Sequence, residues 1–339
     1  MRWLNGVRAL GGAAVAGLTV LAAPGVALAD PPGPTDFATT IVSVAPPTEA
    51  VHVAMIAGDA FFTVSVAAGA HVTVAGYQGE PYLEFLPSGD VLENRRSPTY
   101  FASRTKSGAA VPTGITADTP PEWTTVASDG TYAWHDHRTH WMGGTPTGAR
   151  GDVVTNGVVR LVVDGEEVVV TVATTWLPRA SPVPAVLGLL VGAAAGAGCV
   201  VARRRGAPWG DAVLIAAAVL ATAVGFAGYR SVPGVTGPSP LGWILPATAL
   251  VAATASVLLA RRPAGGLFAV GARALAGVEL AIWAFTRRSG LLAAILPTDA
   301  PFWLDRAATT AAGTVGVIVA AMAAAHLVDL LTRPPEVVE

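Results

Sequence analysis

From residue 183 onward the chain is dominated by long apolar runs, near 183–202, 211–228, 241–260, 266–285 and 307–327. Each approaches the roughly 20 residues that a helix needs to cross a bilayer. Inside a bilayer only helices and closed barrels satisfy every backbone polar group, so five such runs predict a transmembrane helical region over residues 181–330. Composition agrees. Only 13% of the 339 residues are charged and 52% are hydrophobic, against about 25% charged in a typical soluble domain.

Residues 1–29 have the form of a secretory signal peptide. Arg2 and Arg8 precede an apolar stretch over 9–23, and Ala27-Leu28-Ala29 has the small-x-small form of a cleavage site. Arg203-Arg204-Arg205 follows the first apolar run and Arg261-Arg262 the third. By the positive-inside rule both clusters are expected in the cytoplasm. Residues 30–180 then lie outside the cell membrane of a multi-pass protein, with a cytoplasmic tail at 331–339. Arg287-Arg288 falls on the outer side and conflicts with the rule, with Asp299 and Asp305 in position to offset it.

Charge divides with the two regions. Residues 30–181 hold sixteen acids and eight bases, a net of −8, whereas residues 182–339 hold seven acids and eleven bases, a net of +4. An acidic outer region argues against nucleic acid and anionic lipid as its partners and is compatible with cations. The single cysteine, Cys199, lies in an apolar run, so no intrachain disulfide forms and thiolate metal sites are excluded from the outer region.

The outer region has the signals of an all-β domain: short runs rich in Val, Thr, Ile, Phe and Tyr, separated by Gly, Pro, Asp and Asn. Strands are expected near 38–44, 51–56, 61–66, 72–76, 82–86, 131–135, 158–163 and 167–174, with a long loop over 108–122. Asp164-Gly165 between the last two marks a tight hairpin. About eight strands in such a length predict an antiparallel sandwich.

Three of the six histidines fall in His135-Asp136-His137-Arg138-Thr139-His140-Trp141-Met142. Alternate residues of a strand share a face, so His135 and His137 are expected to present two imidazoles side by side. His140 joins them if the strand ends near Arg138. Met142 is a candidate weak sulfur ligand, and His52 and His71 are candidate further ligands. Asp136 and Arg138 are expected behind the ligands, orienting a ring nitrogen or pairing with each other. Imidazole with a nearby thioether favours copper, with zinc as the alternative. The competing expectation is a hydrogen-bonded network that ties down a loop, with Trp134 and Trp141 as core.

Gly130-Thr131-Tyr132-Ala133-Trp134-His135-Asp136-His137 resembles the Gly-Thr-Tyr-x-Tyr-His-x-His segment of multicopper oxidases and other cupredoxin-like domains. In those families the His-x-His pair ligates copper. The chain departs from them in lacking a cysteine for a blue-copper centre and the other His-x-His motifs of an oxidase. The resemblance therefore implies a β-sandwich with copper-ligand-like residues, not oxidase activity. Asp129 to Trp134 also resembles the tyrosine corner of immunoglobulin-like sandwiches. Most of the chain resembles uncharacterised membrane proteins of high-GC Gram-positive bacteria. Gly76-Tyr77-Gln78-Gly79-Glu80-Pro81-Tyr82-Leu83 and the segment 135–142 carry that likeness, which implies a shared architecture and no particular activity.

No nucleophile elbow, phosphate-binding glycine loop or zinc-protease helix is present, and no catalytic residue is assigned. The pair Glu80 and Glu84 reads as a turn and strand. Glu279, inside the fourth apolar run, is the one acid there that calls for a partner, Arg230 or Arg287 being candidates, or for a role in transport. Four expectations result: an extracytoplasmic domain that binds, buffers or transfers copper; an envelope scaffold that docks a protein partner and holds no metal; an enzyme with His137 or His135 as general base or holding a catalytic metal, ranked last; and a transporter that uses Glu279.

Overall fold

The computed structural model describes residues 32–106, 108–262 and 265–332; the expected signal peptide and most of the tail lie outside them. Ten strands come first: β1 Phe37–Ala45, β2 Val51–Ile56, β3 Phe61–Val66, β4 Val72–Ala75, β5 Pro81–Phe85, β6 Val91–Asn94, β7 Trp123–Ala127, β8 Thr131–Trp134, β9 Val153–Val163 and β10 Glu166–Trp176. A short helix, α1 Pro98–Ala102, lies between β6 and β7. Five long helices follow: α2 Val183–Arg204, α3 Trp209–Arg230, α4 Leu241–Ala260, α5 Gly266–Thr286 and α6 Phe302–Thr332. All five are long and apolar enough to cross a membrane, as in a multi-pass membrane protein.

The strands form two antiparallel sheets, one of seven strands in the order β1-β10-β9-β4-β5-β6-β7 and one of three in the order β2-β3-β8. One apolar core joins them. Phe62, Val64 and Trp134 of the smaller sheet pack with Val72, Leu83, Phe85, Leu161 and Val170 of the larger. The β9–β10 hairpin turns at Asp164 and Gly165, both at positive φ, as the Asp-Gly pair requires.

All eight expected strands are present, and β6, β7 and α1 are additional. Glu80 accounts for α1. Its buried carboxylate accepts hydrogen bonds from the Ser97 hydroxyl, the Thr99 amide and the Thr99 hydroxyl, at 2.7, 3.0 and 2.7 Å. It thus fixes the first turn of the helix, where Ser97 is the N-cap and Pro98 the first residue. Burial alone would raise its pKa; these bonds outweigh burial and hold it below the usual value. The hydroxyl of Tyr132 donates to Glu93 at 3.3 Å, rather than to upstream backbone as a tyrosine corner would.

In the helical region α6 packs against α2, α3 and α5, while α4 packs against α3 and α5. Gly188, Gly192 and Gly196 form a ladder on α2. A Cβ at the first two would lie 2.1 and 2.5 Å from carbonyl oxygens of α6, so only glycine permits this approach. Small residues at such spacing are how helices pack closely where lipid removes the hydrophobic drive. Bidentate Arg273–Asp211 ties α5 to α3 near the end remote from the β domain. Arg287 pairs with Asp305 at the near end, which offsets one of the two cations there.

The β domain is seated on the near end of the helices. Thr35 and Ile295 exchange backbone hydrogen bonds of 3.1 and 2.9 Å, and the Ala294 amide donates to the Asp36 carboxylate. The one-turn helix Gly234–Thr236, between α3 and α4, packs against β8. An edge strand is thereby covered, which removes an open pairing edge.

Gly157 on β9 tests this packing. A Cβ there would lie 1.6 Å from the Arg138 carbonyl oxygen. Gly157→Ala is therefore expected to lower stability by about 3 kcal/mol or more, read as unfolding of the detergent-solubilised chain. Gly144→Ala, where a Cβ meets nothing within 4 Å, is expected to stay within about 0.5 kcal/mol of the parent.

Candidate functional site

The strand expected to carry the histidines stops at Trp134. His135 and His137 therefore do not sit as alternate residues of one strand. The cause is Asp136, which is fully buried and turns the chain. Its carboxylate accepts from the backbone amide of Arg138 at 3.0 Å, from the guanidinium of Arg138 at 2.8 and 2.7 Å, and from the Trp134 indole at 2.9 Å. The Thr139 amide and hydroxyl both donate to the Asp136 carbonyl, closing the turn. Burial would raise the Asp136 pKa, and the Arg138 bonds and charge overcome it, so the carboxyl is held below its usual range. The Thr139 carbonyl then accepts from Thr39 on β1 and Thr174 on β10, fixing the segment across the larger sheet.

Each imidazole meets a backbone carbonyl. His135 is 1% exposed, stacks on Phe61 with ring centroids 4.2 Å apart, and places Nδ1 at 2.6 Å from the Ala60 carbonyl. It belongs to the core. His137 stacks on Tyr77 and directs Nε2 to the Thr105 carbonyl at 3.4 Å. Gly108, at positive φ, lies beneath its ring. His140 directs Nε2 to the Lys106 carbonyl at 2.9 Å. A carbonyl only accepts, so Nε2 carries the proton in both His137 and His140, leaving each Nδ1 with a lone pair. These two rings are neighbours, with centroids 5.3 Å apart and planes at 78°.

His140 Nδ1 is buried without a hydrogen-bond partner. Three further atoms among the described residues of the β domain share that condition: Asp59 Oδ2, Thr63 Oγ1 and Thr105 Oγ1. All four flank the histidine segment. Asp59 and Thr63 bracket Phe61, on which His135 stacks, and the Thr105 carbonyl receives His137. Asp59 is fully buried, and its other oxygen accepts from Lys106 at 2.6 Å and Thr35 at 3.0 Å. Buried orphans are rare in folded proteins, and each calls for a partner such as an ordered water or an ion.

The remaining expected ligands lie apart in their contacts. Met142 is 47% exposed. His71 pairs with Glu84 at 2.8 Å, and His52 is exposed on β2 opposite Ser65. Among the described residues no three of His, Cys, Asp and Glu converge closely enough to hold a metal ion by themselves. Glu279, half-buried on α5, faces Thr248 on α4, whose hydroxyl donates to the carbonyls of Ile244 and Leu245. Its Oε2 is buried without a partner, and the Arg287 considered for it pairs with Asp305 instead. Sequence reasoning missed Asp59, Tyr77 and Lys106. Asp59 sits in an ordinary Gly-Asp turn between two strands, and no local signal separates it from a solvated one.

Burial holds His140 at a pKa of about 4, against 6.5 when free. A base depressed in this way contributes stability that is complete above about pH 6.5 and is withdrawn as pH falls toward 4. Asp136 and Glu80, depressed acids, contribute stability above their unfolded values of 3.8 and 4.5 and lose it as pH falls below those toward their lower folded values. Metal-free protein is thus expected to lose stability in two stages on acidification. His140→Gln abolishes the first stage and keeps the second, as read from unfolding midpoints between pH 7 and 3. No family model, curated protein or solved structure matches the chain.

Proposed function

We propose that this is a membrane-anchored metal-binding protein whose β domain, a sandwich of the two sheets, works outside the cell membrane and binds, buffers or passes on copper, or else zinc. The observation that carries this reading is the unpartnered, buried Nδ1 of His140 beside the ring of His137. Both rings are held from behind by backbone carbonyls, the arrangement that fixes the tautomer of ligating histidines. His137 and His140 would hold the ion, and the unpartnered Oδ2 of Asp59, whose other oxygen is taken by Lys106, is a further oxygen donor in the same part of the domain. His135 supports the site through the Ala60–Phe61 backbone rather than as a ligand. Imidazole suits both ions, and copper is favoured by the thioether of Met142 at the end of the segment. The outward placement is supported by Arg203-Arg204-Arg205, which close α2, and Arg261-Arg262, which follow α4, both at the end remote from the β domain.

A second reading is an envelope scaffold without metal, and the seat of the domain favours it. Paired backbone at Thr35 and Ile295 holds the two regions in one orientation, as a docking platform requires.

Titration of the chelator-treated full chain in detergent with copper(II), copper(I) and zinc separates the two. The metal reading expects about one ion per chain, lost in His137→Ala/His140→Ala. His135→Ala is expected to keep the stoichiometry and to cost stability of about 2–4 kcal/mol through the lost stacking and hydrogen bond. No bound ion in the folded parent would overturn the metal reading and leave the scaffold.

A further inference from the structure

A second site lies at the seam between the β domain and the helices. It is a cleft of about 680 Å³ with walls from both regions. Lys106, Arg150 and Arg179 of the β domain and Arg288, just past α5, line it. Three of the eight bases of a domain whose net acidity argued against anionic lipid are thus gathered at one rim, where the local sign of charge is reversed. Carboxylates offset only part of this charge. Lys106 is neutralised by Asp59, and Arg150 pairs with Asp36 at 2.9 Å. Arg179 is 3.9 Å from the same Asp36, with a side chain 65% exposed. Arg288 lies over the Phe285 ring and donates to its carbonyl, and has no carboxylate partner among the described residues. Two guanidinium groups therefore remain in excess. Trp141 and Trp176 provide flat apolar walls, and Arg150 lies over the Trp176 ring at 4.5 Å.

The depth of the cleft identifies the ligand's surroundings. Arg288 follows the end of α5 by two residues. Phe285 and Trp303 face outward at the adjacent ends of α5 and α6, and tryptophan is enriched where membrane helices meet the headgroup layer. A cleft at that level, with surplus guanidinium groups and aromatic walls, would meet the headgroup layer of a bilayer crossed by these helices. Guanidinium groups recognise phosphate by paired hydrogen bonds as well as charge.

We propose that this cleft binds a phosphate-bearing anion through Arg179 and Arg288, its source being the headgroup of an anionic lipid in the leaflet on the β-domain side. It is distinct from the histidine site and does not depend on it.

The test uses the full chain in nanodiscs of phosphatidylcholine with and without phosphatidylglycerol, with retained lipid read by native mass spectrometry. In parallel, inorganic phosphate is titrated into the detergent-solubilised chain by calorimetry. Selective retention of phosphatidylglycerol is expected, weakened about thirtyfold in Arg179→Gln/Arg288→Gln, since each surface cation contributes about fivefold to anionic-lipid binding. Arg179→Lys/Arg288→Lys is expected to recover most of the charge-dependent part. Retention of lipid without uptake of inorganic phosphate supports the headgroup source. Uptake of inorganic phosphate by the parent and not by the glutamine variant, without lipid selectivity, supports a soluble phosphate compound and overturns the lipid source. Equal behaviour of parent and glutamine variant in both arms, with unchanged unfolding midpoints, overturns the site.

Discussion

A buried carboxylate must be given hydrogen bonds, and the route of the chain after β8 follows from that demand at Asp136. Four donors reach it, three of them from Arg138 and one from Trp134. Removing one partner of such a buried pair typically costs about 3–5 kcal/mol, because the other charge is left uncompensated. Satisfying Asp136 within two residues on either side forces a turn where a strand would have continued. That turn puts His135 into the core on one side and swings His137 and His140 toward the loop at residues 105–108 on the other. The imidazole pair available for chemistry is therefore 137 and 140, set by the acid between them and not by strand periodicity.

Lys106 couples this arrangement to the membrane seat. Its carbonyl receives His140, its ammonium reaches Asp59, and its side chain lines the seam cleft. Asp59 in turn receives Thr35, whose backbone pairs with Ile295 beyond α5. A short chain of polar contacts thus runs from the histidine segment to the helix ends, with orphaned atoms of Asp59 and His140 along it. A ligand that reached those atoms would act on groups that also seat the domain.

Much of the architecture was legible in the sequence because it depends on local patterns. Apolar length marks the five helices, alternation marks the long strands, and Asp164-Gly165 marks its hairpin. What escaped depends on distant partners. Strand β6 contains Glu93 and Asn94, polar residues whose burial is satisfied by Tyr82, Tyr132 and Arg95 for the first and by the Pro81 carbonyl and the amides of Arg96 and Glu122 for the second. Strand β9 begins at Val153, five residues before the expected strand at 158, and Gly157 within that added part is there to admit the Arg138 carbonyl. Helix α1 carried readable signals in Ser97 and Pro98, while the carboxylate that holds it, Glu80, lies seventeen residues from Ser97. In the candidate site the sequence pointed to the segment and to Asp136 with Arg138. Which imidazoles become neighbours depended on a turn that no spacing rule contains.

The seat also sets an order of events during synthesis. Asp36 and Ala294, which meet in it, are 258 residues apart. At about 5–20 residues per second, roughly 13–50 s separate the emergence of the two. All ten strands are made in the first part of that interval, so the β domain can fold while its Thr35–Asp36 edge still lacks a partner. Only a correctly threaded α2 to α5 delivers the α5–α6 loop to the same side of the membrane as the waiting edge. Completion of the seat is thus a check on helix insertion, made once, after most of the chain has been committed.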